Sequence, residues 1–199
     1  MKILAVDAAG DSLTVALEAG GRVYAARRRG KKPSDETLLP AIESLLKRAQ
    51  IGWNDLDAVA AASGPGRFTG IRIGLSFAAI VGMNRKIPAL ALSRLEAAAE
   101  KSGADDVLAA IPGWKGEVYS QRFRRTKAGL AASGDAQWTA AESWPQFRAE
   151  AESKGMTVAC GETTASDLLA VARRRLAAKK LPPFEPFYLK PAGYERNRR

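Results

Sequence analysis

The chain has 199 residues, a formal net charge of +10, 46% hydrophobic and 26% charged residues. This composition is ordinary for a folded globular protein, and the length fits one large domain or two lobes of roughly 100 residues. There is no histidine and only one cysteine, Cys160. That excludes Ser–His and Cys–His catalytic pairs, any imidazole or thiolate metal cage, and an intrachain disulfide. A basic excess favours acidic partners without specifying one. Residues 1–7 offer five apolar positions before a carboxylate, too few for a secretory leader. The near-apolar run 73–83 is too short to span a bilayer and carries Ser76. A cytoplasmic protein is expected, with Cys160, in an apolar run, as a small core residue.

Residues 2–7 form an apolar run followed by a turn, and Leu13, Val15 and Leu17 alternate before Ala19-Gly20-Gly21. An opening strand and a hairpin over 12–18 and 22–28 follow from that pattern. Lys31-Lys32-Pro33 breaks it, and Ser34, with Asp35 and Glu36 behind it, has the chemistry of a helix start. Leu38, Leu39, Ile42, Leu45, Leu46 and Ala49 then recur at helical spacing, and Gly52 ends the run. A buried strand is expected over 57–62, a glycine loop over 63–70, a helix to 84, and a strand over 88–92. Ser93 can cap a helix over 94–101. Composition breaks near 102–104. Beyond it, strands are expected over 107–111, 117–124 and 157–160, and helices over 143–154 and 166–179. The proline-rich stretch 182–186 can be neither helix nor central strand. The alternation predicts two α/β lobes, 1–102 and 103–190, and a basic tail over 191–199.

The segment from Gly64 to Met83 is the most informative. Gly64, Pro65, Gly66, Arg67 and Thr69 form a strand-to-helix loop of the kind that can cradle phosphate, yet no Lys-Ser/Thr pair follows and the GxGxxG pattern is absent. A tight structural turn is the plainer reading. In the helix behind it, Gly70, Gly74, Ala78 and Gly82 fall at i, i+4, i+8 and i+12 and make a strip without bulk. Interior glycine costs a helix about 1 kcal/mol relative to alanine, so a close backbone approach by another helix is expected to offset it. Phe68, Ile71, Ile73, Leu75, Phe77, Ile80 and Val81 make the other sides apolar. Such a helix is buried on more than one side, by the sheet and by either the preceding helix or another protein chain.

The stretch Ser63-Gly-Pro-Gly-Arg-Phe-Thr-Gly-Ile-Arg-Ile-Gly74 resembles the GPGSFTGLRIG signature of the TsaB (YeaZ) family. Lys2-Ile-Leu-Ala-Val-Asp7, Leu38-Leu39-Pro40, Gly116-Glu117-Val118-Tyr119 and Pro186-Phe-Tyr-Leu-Lys190 are similar to further family segments in the same order. The resemblance implies two actin-like (ASKHA, ribonuclease H-like) α/β lobes with mixed sheets flanked by helices. It implies a shorter, non-catalytic relative of TsaD that pairs with TsaD through its first two helices. With TsaE, that assembly transfers threonylcarbamoyl to the adenosine beside the anticodon of certain tRNAs. The partner interface then falls on Leu38, Leu39, Ile42, Leu45, Leu46, Phe68, Gly70, Ile71, Gly74, Phe77 and Ala78, which could also form a homodimer in isolation. Three departures stand out. Arg67 replaces a serine, Ser34-Asp35-Glu36-Thr37 stands where a histidine is common, and Ile111-Pro-Gly-Trp-Lys115 replaces an Asp-Ala-Arg stretch.

Actin-like ATPases carry an acid and a glycine turn after the first strand, and Asp7, Gly10 and Ser12 occupy comparable positions. No second Asp-x-Gly loop and no late Gly-Gly pair follow, so these three are expected to be the remnant of a nucleotide site. No metal and no cofactor are expected, unless a nucleotide is shared at the interface of the complex. Without histidine the chain cannot be TsaD itself. Basic clusters at 27–32, 122–127, 173–180 and 190–199 could gather RNA phosphates or simply be solvated. The competing readings are a free-standing actin-like ATPase or kinase and an RNA-binding module.

Overall fold

The computed structural model describes residues 1–28, 34–127, 129–179 and 181–190, and no side-chain detail at Ser34 and Asp35. The helix cap expected at Ser34, part of the 27–32 cluster and the tail 191–199 therefore lie outside the described residues.

The first sheet has the order β3-β2-β1-β4-β5. Strand β1 (Ile3–Asp7) pairs antiparallel with β2 (Leu13–Ala19), which pairs with β3 (Arg22–Arg28) through the Gly20-Gly21 turn. On its other side β1 runs parallel to β4 (Ala58–Gly64), and β4 runs parallel to β5 (Ala89–Ser93). Both faces of the sheet are covered, which is why β1 and β4 are buried at every position instead of alternating. Helix α1 (Ser34–Ala49) packs on β2 and β3, and α2 (Phe68–Arg85) on β4, β5 and β1. The two helices touch each other, side by side on one face.

The second sheet has the order β10-β6-β7-β8, with β9 also on β7. Its strands are β6 (Asp106–Pro112), β7 (Val118–Thr126), β8 (Gly129–Ala132), β9 (Gln137–Thr139) and β10 (Thr157–Cys160). Strands β8 and β9 were not anticipated. They span 4 and 3 residues, without alternation, and Gly129-Leu130-Ala131-Ala132 has little β propensity. Long β7 forms them by offering one end to each partner. Cys160 is exposed, contrary to the core position expected of it, because β10 is an edge strand with both faces partly open.

The strands divide near residue 102, but the helices do not. Helix α3 (Arg94–Ser102) follows the first sheet yet packs Leu95, Ala98 and Ala99 against Val107, Ala109 and Ile111 of the second. Helix α5 (Ala165–Ala177) follows the second sheet and returns to bury Leu168, Leu169 and Val171 in the core of the first. Two lobes in strict sequence, 1–102 and 103–190, are thus a simplification, because each lobe lends the other a helix. Helix α4 (Trp144–Ser153) packs on β10. Among the described residues no helix is long and apolar enough to cross a membrane.

Helix starts follow the local chemistry. Ser93 Oγ accepts the amides of Leu95 and Glu96 at 3.2 and 3.4 Å. At Thr164, the amide and hydroxyl both donate to Asp167 Oδ2 at 2.8 and 3.0 Å, so the third helical residue's carboxylate caps the helix start.

Candidate functional site: the cleft between the lobes

The turn after β1 and the loop after β4 lie at the same end of the first sheet because the two strands are parallel neighbours. They are in direct backbone contact. The Arg67 amide donates to the Ala9 carbonyl at 2.8 Å. A Cβ on Gly66 would stand 2.3 Å from the Ala9 oxygen, and one on Gly70 1.8 Å from the Ala8 oxygen. Gly64 (φ +122°) passes under the C-terminal segment, where the Phe187 amide donates to the Ser63 carbonyl at 2.7 Å. The glycines of this loop therefore serve chain-to-chain packing. Thr69 is exposed, and Pro65 is buried.

Asp7 ends β1 with 1% of its surface exposed. Its Oδ1 accepts the Ala9 amide at 2.9 Å, and its Oδ2 accepts Nε of Arg94 at 3.1 Å. Arg94, also 1% exposed, is bound on every side. Its Nε also reaches Thr163 Oγ1 at 3.1 Å, Nη1 donates to the Pro65 carbonyl at 2.9 Å, and Nη2 to Glu162 Oε2 at 2.7 Å. Gly10 is required beside it, since a Cβ there would approach Nη2 to 2.9 Å. Ser12 is buried next in line. The structure thus brings Asp7, Gly10 and the glycine loop together at one end of the first sheet, and adds a guanidinium that sequence reasoning missed. Its only signal was an arginine directly after a helix-capping serine, at the start of a short alanine-rich helix.

A cleft of about 440 Å³ opens above this cluster, lined among others by Gly10, Asp11, Arg67, Arg94, Trp114 and Glu162. An actin-like fold would lead one to look for a nucleotide and its metal here; in this chain Arg94 pairs with Asp7, and the Arg67 amide is already bonded to the Ala9 carbonyl. Among the described residues no group of three His, Cys, Asp or Glu side chains could hold a metal ion.

The residues expected at a partner interface separate into two sets. Leu38, Ile42, Leu45, Leu46, Ile71 and Ala78 are 0–4% exposed in the chain's own core. Gly70 and Gly74 are likewise buried against the sheet. The strip without bulk faces β1, β4 and β5 rather than another helix: Gly70 lies on Ala8, Gly74 on Val6 and Ala61, and Gly82 on Ala89. A sheet as close as this needs small residues on the helix it supports. The outward set is Leu39, 51% exposed, with half-buried Phe68 and Phe77. Ile80 and Met83, 59% and 79% exposed, join it and were not among the interface residues expected. Ile73, Phe77, Ile80 and Met83 form one stripe along α2. Phe77 leans on Trp53 at 6.3 Å, and Phe68 stacks on Tyr188 at 5.0 Å with Arg72 over its other face.

Most of the described arginines expected to gather phosphate are already paired. Arg122 and Arg124 bind Asp106, at 2.8 and 3.1 Å. Arg173 reaches Glu18, and Arg174 and Arg175 hold Glu96. The last two join α5 to α3 and so lobe to lobe. Lys190 pairs with Glu117 and lies over the Trp138 ring.

Residues 28–154 match the family described as TsaD, tRNA N6-adenosine threonylcarbamoyltransferase. The chain is 30% identical to the Escherichia coli tRNA threonylcarbamoyladenosine biosynthesis protein TsaB, over 96% of this chain and 95% of that protein. It is 34% identical to TsaB of Buchnera aphidicola subsp. Schizaphis graminum, over 62% of this chain and 60% of the other. Among solved structures, YeaZ from Pseudomonas aeruginosa superposes with a TM-score of 0.75 at 24% identity, covering 94% of this chain and 99% of that one. Two mixed sheets flanked by helices, with the turn after the first strand packed on a glycine loop beneath a cleft, give this chain an actin-like fold. Within that class, the chain belongs to the TsaB (YeaZ) family.

Proposed function

We propose that the chain is a non-catalytic subunit in tRNA threonylcarbamoyladenosine biosynthesis that docks, through the outer faces of α1 and α2, on a relative of the TsaD family and acts with TsaE. The observation that carries this reading is the outward stripe of Ile73, Phe77, Ile80 and Met83, with Leu39 on the neighbouring helix. Large apolar side chains left in water along two adjacent helices favour burial by a second surface of the same kind. β3 runs parallel to β1, so α1 and α2 leave the same end of the sheet and run in the same direction. That makes a regular two-helix platform, suited to a matching pair on a partner or on a second copy of this chain.

The lack of catalysis rests on the cleft. Asp7 is tied up by Arg94, the glycine loop by Ala8 and Ala9, and the chain has no histidine. The chain in this reading uses no nucleotide or metal of its own, and tRNA is engaged by the assembly. Purified with a TsaD-family partner, the chain should elute as a stoichiometric complex on gel filtration, and Ile80→Arg should separate the two. A variant that still co-elutes would move the interface elsewhere. Micromolar Mg-ATP binding by the chain alone would favour the ATPase reading instead.

A further inference from the structure

The guanidinium of Arg94 occupies a cage made only of oxygens. Asp7 and Glu162 supply carboxylates, Pro65 a carbonyl and Thr163 a hydroxyl, at 2.7–3.1 Å. These four come from three places. Asp7 ends β1, and Pro65 belongs to the loop that launches α2. Glu162 and Thr163 lie between β10 and α5, on the second lobe's side. Arg94 itself opens α3, the helix that the first sheet lends to the second. One buried cation therefore fastens both loops of the first lobe to the second lobe.

We propose that Arg94 is a built-in cation that holds the two lobes in one arrangement, in the position a divalent metal would otherwise take among these oxygens. Two carboxylates, a carbonyl and a hydroxyl are the ligand set of a hard divalent ion. An ion would come and go with its concentration and with any ligand it carried, whereas a guanidinium on the chain cannot leave. The cleft of this subunit is then fixed without nucleotide, and the lobes do not open and close with binding. The four oxygens are also the reason the charge is tolerated with 1% exposure, since a buried cation needs paired, hydrogen-bonded partners. This inference concerns the chain by itself and does not depend on any partner.

The test uses the full chain and Arg94→Ala, with manganese and magnesium chloride as the probes. Arg94→Ala should melt about 6–15 °C below the parent, because two carboxylates are left facing each other without a cation. Millimolar manganese or magnesium should then raise its melting temperature saturably by at least about 3 °C, with the parent unmoved and Asp7→Asn/Arg94→Ala unresponsive. In hydrogen exchange, three amides beside Arg94 should lose protection together in Arg94→Ala by about tenfold or more: Arg67, bonded to Ala9 in the first lobe, Gly161, bonded to Ala110 in the second, and Phe187, bonded across to Ser63. Arg94→Ala that melts like the parent, or that ignores both cations, overturns the proposal, as does a parent chain that takes up either cation equally well. If Arg94→Ala cannot be recovered folded, Arg94→Lys decides. Its single ammonium cannot span all four oxygens, so joint loss of protection at those amides supports the lock, and parent-like protection refutes it.

Discussion

Gly70 of α2 lies against the backbone of Ala8, close enough that a Cβ on Gly70 would stand 1.8 Å from the Ala8 carbonyl oxygen. This single approach sets how deeply α2 beds on the sheet and where the glycine loop meets the turn after β1. Gly70→Ala cannot relax by turning a side chain, since the obstacle is backbone. A loss of about 2–4 kcal/mol is expected in urea unfolding, with a fall in soluble yield. Gly82→Ala should behave similarly though less severely, its Cβ meeting Ala89 Cβ at 2.8 Å.

Gly74 sits on the same strip but is a different case. A Cβ there would meet Ala61 and Val6 at 3.7 and 3.9 Å, ordinary contact distances. Gly74→Ala should therefore be tolerated and should stabilise the chain by up to about 1 kcal/mol through helix propensity. Equal losses for Gly70→Ala and Gly74→Ala would contradict the packing described above.

Ile80 and Met83 point outward, so charge there costs the isolated fold little. Ile80→Arg and Met83→Arg should leave the melting temperature within about 2 °C of the parent. Each should weaken the complex with a TsaD-family subunit by about tenfold or more, read by calorimetry or gel filtration. The buried Ile42→Arg should instead unfold the chain, which separates loss of interface from loss of fold.

Asp106 is held at about 2, against an ordinary 3.8, chiefly by its hydrogen bonds from Arg122, with Arg124 adding to the effect. Because the folded value lies below the unfolded one, this carboxylate contributes stability above about pH 4, and the contribution is lost as pH falls toward 2. The side chain is 30% exposed, so the contribution is small, about 1 kcal/mol at most. Asp106→Asn should flatten the acid limb of stability between pH 4 and 2, and its carboxyl should titrate near 2 by NMR in the parent.

Cys160 should react with a water-soluble thiol reagent in the native chain, because it is exposed on an edge strand. Partial burial pushes its thiol above the usual value, so the rate near neutral pH should fall below that of free cysteine. A thiol that reacts only on unfolding would return Cys160 to the core.

Much of the first lobe was legible from residue pattern alone. The Gly20-Gly21 turn, the 3.6-residue spacing from Leu38 to Ala49 and the capping Ser93 are local signals that the fold leaves intact. The absence of histidine removed whole classes of chemistry before any coordinate was known. The glycines of α2 announced a close approach, because glycine in a helix has a cost that something must offset. Local pattern could not say what approached. A strip of Gly70, Gly74, Ala78 and Gly82 fits a partner helix as well as a sheet, and only the parallel pairing of β1 with β4 placed Ala8 beneath it. Nor could spacing distinguish inward from outward on a helix apolar nearly all round, so Leu39 separated from Leu38 only when the sheet supplied an inside. Arg94 is the clearest case. Its partners lie 29 to 87 residues away in sequence, and a cage closed by such distant chain segments exists only once both lobes are folded together.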